Sequence, residues 1–167
     1  EFVANEKITA SEFLEKLDFL RGRLNNKVIP VLLNLIDSHD TPRFLHICNE
    51  NKDKQKLASA FQLLLPGMPM IYYGDEFGMP GGNDPDCRRM MRFDDQLVAR
   101  EQETRDAVAK LGQLRKNQLP LIYGDFIELY LEKNVWAYAR SYFGKTVLVV
   151  FNRNTEDKEI TIQLPSM

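Results

Sequence analysis

The chain has 167 residues, enough for one domain or one plus a fraction, and too few for two complete large domains. Its 22 basic and 24 acidic residues leave a net charge of −2, which offers no general attraction to phosphate backbones or anionic lipid, so neither nucleic acid nor a membrane surface is an expected partner. With 44% hydrophobic residues there is ample material for a core, and no apolar run approaches the ~18 residues of a membrane span.

The opening residues, Glu1-Phe2-Val3-Ala4-Asn5-Glu6, have neither the basic nor the apolar stretch of a secretory leader. Cys48 and Cys87 lack a Cys-x-x-Cys spacing and a disulfide-dense context, so reduced thiols in a cytoplasmic protein are the expectation. Thr9-Ala10-Ser11-Glu12 has the form of a capping box, and Phe13, Leu14, Leu17, Leu20 and Leu24 follow at helical spacing, which predicts about four turns of helix ending at Asn25-Asn26. The nearly continuous apolar run from Val28 to Ile36 predicts a strand covered on both faces, with its ladder starting near Val31 because Pro30 has no N–H to give. It stops at Asp37-Ser38-His39-Asp40-Thr41-Pro42-Arg43, a sharply polar strand end.

A second unit repeats this order. Lys52 to Leu65 carries a helical stripe closed by Pro66-Gly67, and Met70-Ile71-Tyr72-Tyr73 predicts a second buried strand. A long polar, glycine-rich stretch from Gly74 to Arg88 then predicts a functional loop. Thr104 to Lys116 predicts a third helix in spite of Gly112. After Asn117-Gln118-Leu119-Pro120 the period changes to alternation, marking a boundary between 1–118 and 119–167. Segments near Ile127 to Leu131, Val135 to Tyr142, Thr146 to Asn152 and Glu159 to Leu164 predict an antiparallel meander. Two parallel α/β units cannot close a sheet, and a (β/α)₈ barrel takes ~250 residues, so the expectation is a fragment of a larger α/β protein.

The residues alone leave several readings open. Asp40 and His39 are either a turn cap with a polar neighbour or part of a site. Asp84 and Arg88, four apart across a proline, are either a surface ion pair or a sugar-gripping couple, since a carboxylate and a five-donor guanidinium can hold vicinal hydroxyls in a fixed orientation. Contiguous Ser38-His39-Asp40 does not suit a nucleophilic relay, because adjacent residues point in diverging directions. Asp84-Pro85-Asp86 departs from a calcium loop at Arg88 and Arg89, and His39 and His46 lack zinc-site spacing, so no metal or cofactor is expected. Trp136 on a strand is read as core sooner than as a sugar platform, and Met68, Met70, Met90 and Met91 as packing residues.

Three stretches resemble the alpha-amylase superfamily, in particular its neopullulanase, cyclomaltodextrinase and maltogenic amylase group: 34–43 (NLIDSHDTPR), 66–79 (PGMPMIYYGDEFGM) and 81–88 (GGNDPDCR). Order and spacing fit too, and the likeness runs over nearly the whole chain. The resemblance implies an α/β fold: the C-terminal part of a (β/α)₈ TIM barrel, strands seven and eight with their helices, followed by a partial antiparallel β-sandwich domain. It implies a retaining hydrolase of α-1,4 and, as an open alternative, α-1,6 glucosidic bonds, with an α-glucan or maltooligosaccharide as substrate. Asp40 falls on the family's third catalytic carboxylate, and His39, Asp84 and Arg88 on substrate-binding positions. Arg43, Asp75 and Glu76 fall beside the site as structural residues. No segment matches the nucleophile or the general acid, so the expected partner is a missing N-terminal part of the same enzyme, with homo-oligomerisation open. The rival expectation is a non-catalytic carbohydrate-binding or structural α/β module.

Overall fold

The computed structural model describes residues 1–164. Helix α1 (Ala10–Arg21) starts as expected: the Thr9 hydroxyl accepts from the Glu12 amide at 3.2 Å and the Glu12 carboxylate accepts from the Thr9 amide at 2.7 Å. It stops short of Leu24, at Gly22. Phe19 and Leu20 are exposed, and an apolar stripe with nothing to pack against does not offset the poor helix propensity of glycine.

The expected strand over Val28 to Ile36 is mostly absent. Ile29–Val31 forms a 3₁₀ turn around Pro30, and only β1 (Leu33–Asn34) pairs, in parallel, with β2 (Met68–Pro69). Bonds from the Met68 amide to the Leu32 carbonyl (2.7 Å) and from the Met70 amide to the Asn34 carbonyl (2.9 Å) complete the short ladder. The second strand therefore lies ahead of the predicted Met70 to Tyr73. Among the described residues β1 and β2 have no strand on their outer edges, and a two-strand ladder without further neighbours is short-lived at its ends. Val31, Leu33, Leu35, Met68 and Ile71 are exposed, so the run is not covered on both faces.

Between the strands lie a single-turn helix α2 (Phe44–Ile47), which periodicity did not reveal, and α3 (Lys52–Leu64), capped by the Asn51 side chain on the amides of Asp53 and Lys54. After β2 the chain runs through 3₁₀ turns at Asp75–Phe77, Asp86–Arg88 and Asp94–Gln96. Helix α4 (Ala99–Asn117) begins five residues before the predicted Thr104, because the Glu101 carboxylate accepts from the Val98 amide at 3.1 Å and closes the first turn. Gly112 sits in open space, which explains its tolerance.

A short helix α5 (Leu119–Tyr123) opens on Pro120 and leads to β3 (Asp125–Leu131), β4 (Val135–Tyr142) and β5 (Lys145–Asn152), one antiparallel sheet in that order with a bulge between Glu128 and Tyr130. The predicted fourth strand, Glu159 to Leu164, does not form a ladder among the described residues, and the last three positions of the 119–167 segment lie outside them. Among the described residues the sheet is single, with no second sheet facing it as a sandwich requires. Met90 is fully open and Met68 half-exposed, contrary to their reading as packing residues, while Met91 packs beside Phe77.

One core crosses residue 118. Phe61 of α3 stacks on Phe151 of β5 at 3.9 Å between ring centres and on Trp136 of β4 at 5.8 Å, and Phe13 of α1 meets Trp136 edge-on. Trp136 is completely buried, so it is a core residue and not a platform. Two arginines fasten the same junction. Arg140 donates to the carbonyls of Gly124 and Leu64, and Arg115 to those of Leu63, Leu65 and Gly67. Phe61→Ala should lower unfolding stability by about 3–5 kcal/mol, the usual cost of an emptied aromatic core site, read by urea denaturation with Trp136 fluorescence as the probe.

Candidate functional site

The polar end of β1 and the loop after β2 are held together by one side chain. Arg43 has no exposed surface, and its guanidinium stacks over the rings of Tyr72 (4.0 Å) and Tyr73 (4.6 Å). It donates to the Cys87 carbonyl at 2.8 Å, the Tyr73 carbonyl at 2.6 Å and the Asp75 carboxylate at 3.2 Å, and makes a longer contact to the Met79 sulfur. Its own amide donates to the Gly81 carbonyl. A Cβ on Gly81 would come within 2.7 Å of the Asp86 carbonyl oxygen, so the backbone passes Arg43 this closely only because that residue is glycine.

Asp37 and Asp75 are both buried. One Asp37 oxygen accepts from the Phe44 amide at 2.6 Å, closing the loop 37–44, while the other, like one oxygen of the neighbouring Asp75, is buried without a donor. Burial pushes the Asp75 carboxyl up to about 9, the Asp37 hydrogen bond and charge add to the rise, and Arg43 opposes it. Glu76 serves the turn differently. Its carboxylate accepts from the Gly74 amide at 2.7 Å, where Gly74 has a left-handed backbone with φ +90°. From α3, Gln55 donates to the Asp75 carbonyl (3.2 Å) and Lys52 to the carbonyls of Phe77 and Gly78.

On this frame His39 and Asp40 stand in solvent, their side chains 63% and 78% exposed and 3.2 Å apart. The loop beneath them is bonded to itself: the Ser38 amide donates to the Thr41 hydroxyl at 3.0 Å and the Asp40 amide to the Ser38 hydroxyl at 3.3 Å. Asp84 and Arg88 form an exposed ion pair with each other. The two exposed pairs are tied through Cys87, whose thiol donates to the His39 carbonyl at 3.2 Å while its carbonyl accepts from Arg43. The turn is stiffened by Asp86, which accepts from the Gly82 amide and from Arg89 in a two-point contact of 2.7 and 2.8 Å; Arg89 holds the Asp86 carboxyl below its ordinary range.

The structure thus brings Arg43 and Asp75 into direct contact, sets His39 against Asp40 and Asp84 against Arg88, and leaves Glu76 on its own turn. Sequence reasoning passed over Asp37 and Cys87. An acid ending an apolar run six residues before an arginine was a signal for the first; a lone cysteine inside a glycine-rich loop offered none for the second. Cys48 and Cys87 are free and buried, and burial raises the Cys48 thiol to about 11. Among the described residues no helix is long and apolar enough to cross a membrane.

Residues 5–119 match the family model for the alpha amylase catalytic domain. A cyclomaltodextrinase of Geobacillus thermopakistaniensis is 39% identical over 165 residues, 98% of this chain and 28% of the relative. Neopullulanase 2 of Thermoactinomyces vulgaris is 36% identical over 166 residues, again 98% of the chain and 28% of the relative. Among solved structures, a cyclomaltodextrinase superposes with a TM-score of 0.83 at 36% identity, covering 92% of this chain and 26% of that one. A cyclic alpha-maltosyl-(1→6)-maltose hydrolase from Arthrobacter globiformis superposes with a TM-score of 0.83 at 30% identity, covering 91% and 34%. The chain spans little more than a quarter of the length of the curated relatives it matches.

Arg43→Ala should cost about 3–5 kcal/mol of stability, because it strips a buried charge of its partner and orphans two carbonyls. Arg43→Lys should recover only part of that, since an ammonium cannot reproduce the planar fork. Chemical denaturation of both variants against wild type measures the difference.

Proposed function

The chain belongs to the alpha-amylase family, and from that membership we propose that it is the C-terminal portion of a retaining α-glucan hydrolase acting on α-1,4 glucosidic bonds, with α-1,6 bonds left open as a second linkage. On this reading residues 1–118 are the end of the catalytic (β/α)₈ barrel, strands seven and eight with their helices, and 119–167 are part of a C-terminal antiparallel β-domain. The rest of the barrel belongs to a preceding part of the same enzyme and covers the open apolar side of β1 and β2. The free, buried thiols suit a cytoplasmic setting.

Asp40 is the third catalytic carboxylate and His39 its companion on the same glucose; Asp84 and Arg88 hold a neighbouring glucose; Arg43, Asp75 and Glu76 support the loops. What carries the reading is the exposed His39 and Asp40 pair, fixed from below and tethered through Cys87 to the Asp84 and Arg88 turn, in a chain that a cyclomaltodextrinase and a neopullulanase each match over 98% of its length. A retaining mechanism needs a nucleophilic carboxylate and an acid some 5–5.5 Å apart across the bond. Asp40 supplies neither. Its carboxylate accepts from sugar hydroxyls, and those bonds strengthen as positive charge develops on the flattening ring, so they lower the barrier more than they stabilise the bound substrate. Arg88 and Asp84 grip a sugar whose geometry changes little on the way to the transition state.

The isolated 167-residue chain should release no reducing sugar from cyclodextrin or maltotriose, because one carboxylate cannot act as both nucleophile and acid. Turnover by chain free of host amylase would overturn the fragment reading. In the full-length enzyme, Asp40→Asn should lower kcat about a hundred- to a thousand-fold with KM changed far less, as for other lost transition-state contacts worth ~2.7–4 kcal/mol. Arg88→Ala should act chiefly on KM. Steady-state kinetics on a maltooligosaccharide, with melts to verify folding, separate the two, and near-wild-type kcat for Asp40→Asn would reduce Asp40 to a turn cap.

A further inference from the structure

Two carboxyl groups in a dry site beside one guanidinium present a charge problem. Asp37 and Asp75 are each only 3% exposed, and Arg43 is not exposed at all. Two ionised carboxylates would leave the cluster with an uncompensated buried negative charge, which is far more costly than a neutral cluster. The hydrogen bonds point to the resolution. Each acid has one oxygen in use, Asp37 on the Phe44 amide and Asp75 on Arg43. Each has its other oxygen buried without a donor. The two carboxyls face one another, and a proton on one of them gives both orphaned oxygens the donor that the surroundings do not supply.

We infer that Asp37 and Asp75 hold one proton between them and, with Arg43, form a neutral buried pin that fixes the loop 37–44 on which His39 and Asp40 stand. Asp37 is a positioning residue: one of its oxygens accepts from the Phe44 amide at the far end of the loop, and the other, which has no other donor, faces Asp75. Among the described residues no other charged side chain bonds to the three. Arg43 is faced by the rings of Tyr72 and Tyr73, the Met79 sulfur and the Cys87 carbonyl. From α3, Gln55 meets the Asp75 backbone, and Lys52 is turned to the carbonyls of Phe77 and Gly78 and lies 3.8 Å from Glu101. Glu76 is bound to the Gly74 amide.

The sign of the pH dependence follows. Asp75 is raised in the folded chain to about 9, above its unfolded value near 3.9, so its protonated form stabilises the fold fully below about pH 4. That contribution declines as pH rises and is gone above about 9. Carbon-13 NMR of labelled aspartate in the full chain at pH 7 should show one protonated carboxyl, absent from Asp75→Asn, whose amide can donate to Asp37 in its place. The Phe44 amide nitrogen shift should follow a single step near pH 9 in wild type and stay flat in Asp75→Asn. Unfolding stability of wild type relative to Asp75→Asn should fall between pH 4 and 9. Should Asp75→Asn not fold, the wild-type carboxyl and Phe44 titrations decide alone. Aspartates all ionised at pH 7, or a Phe44 amide indifferent to pH up to 10, would overturn the inference.

Discussion

Arg43 cannot reach water, so every donor it keeps must be met from within, and the site is arranged around that demand. Its partners lie thirty to forty-four residues away, on the chain after β2, and they are two carbonyls and one carboxylate instead of a pair of charges. Removing a guanidinium from water costs several kcal/mol, and the cost is recovered only where geometry and hydrogen bonds are good. Carbonyl acceptors on two separate loop positions satisfy that condition and at the same time fix where each loop runs. The glycines follow as consequences: Gly81 lets the backbone approach the arginine stem, and Gly74 turns the chain so that the Tyr73 carbonyl and the Asp75 carboxylate face the same group.

Helix α3 joins this node to the core. Gln55 and Lys52, in its first turns, hold the backbone of 75–78, while Ala58 and Phe61 face Phe2, Trp136 and Phe151. A displacement of the helix against the sheet would therefore move the turn that carries Asp75. Stability of the aromatic core and order of the polar loops are coupled by this one rigid element, and the core is itself built from both sides of residue 118. The closure by Arg115 and Arg140 on the last carbonyls of α3 and the chain beyond it removes the remaining freedom at that end.

Helices were legible in the sequence because their signals are local. The Thr9 and Glu12 capping box and the stripe through Leu57, Phe61 and Leu64 act within a turn or two and survive whatever surrounds them. Strands depend on partners. Val28 to Ile36 has the composition of a buried strand, yet with β2 alone to pair with it only Leu33 and Asn34 enter the ladder, and Pro30 draws the rest into a 3₁₀ turn. The β3 to β5 meander was legible because its hairpins supply each strand's partner next in sequence, a condition that Glu159 to Leu164 does not meet among the described residues. In the site, the motif residues stood out by type and spacing. Cys87 and Asp37 did not, because their roles come from contacts across forty-eight and thirty-eight positions that no local pattern encodes.

The acids around the polar loops divide by solvent access, and the division has a chemical logic. Asp37 and Asp75 are dry and occupied with holding the chain, so their hydrogen-bonding capacity is spent inside the fold. Asp40 and Asp84 are wet, Asp40 set against His39 and Asp84 paired with Arg88. A carboxylate hydrated in the free state has acceptor capacity left over, and a sugar presenting hydroxyls can take the place of that water at little electrostatic cost. The direction of the loop, by contrast, must not depend on the ligand, since a carboxylate that has to be reoriented on binding loses part of its advantage in the transition state. Burying the acids that set the direction while leaving the contacting acids in water meets both requirements with the same residue type, and Arg43, reaching Asp75 on one side and Cys87 on the other, is the group that makes the separation structural.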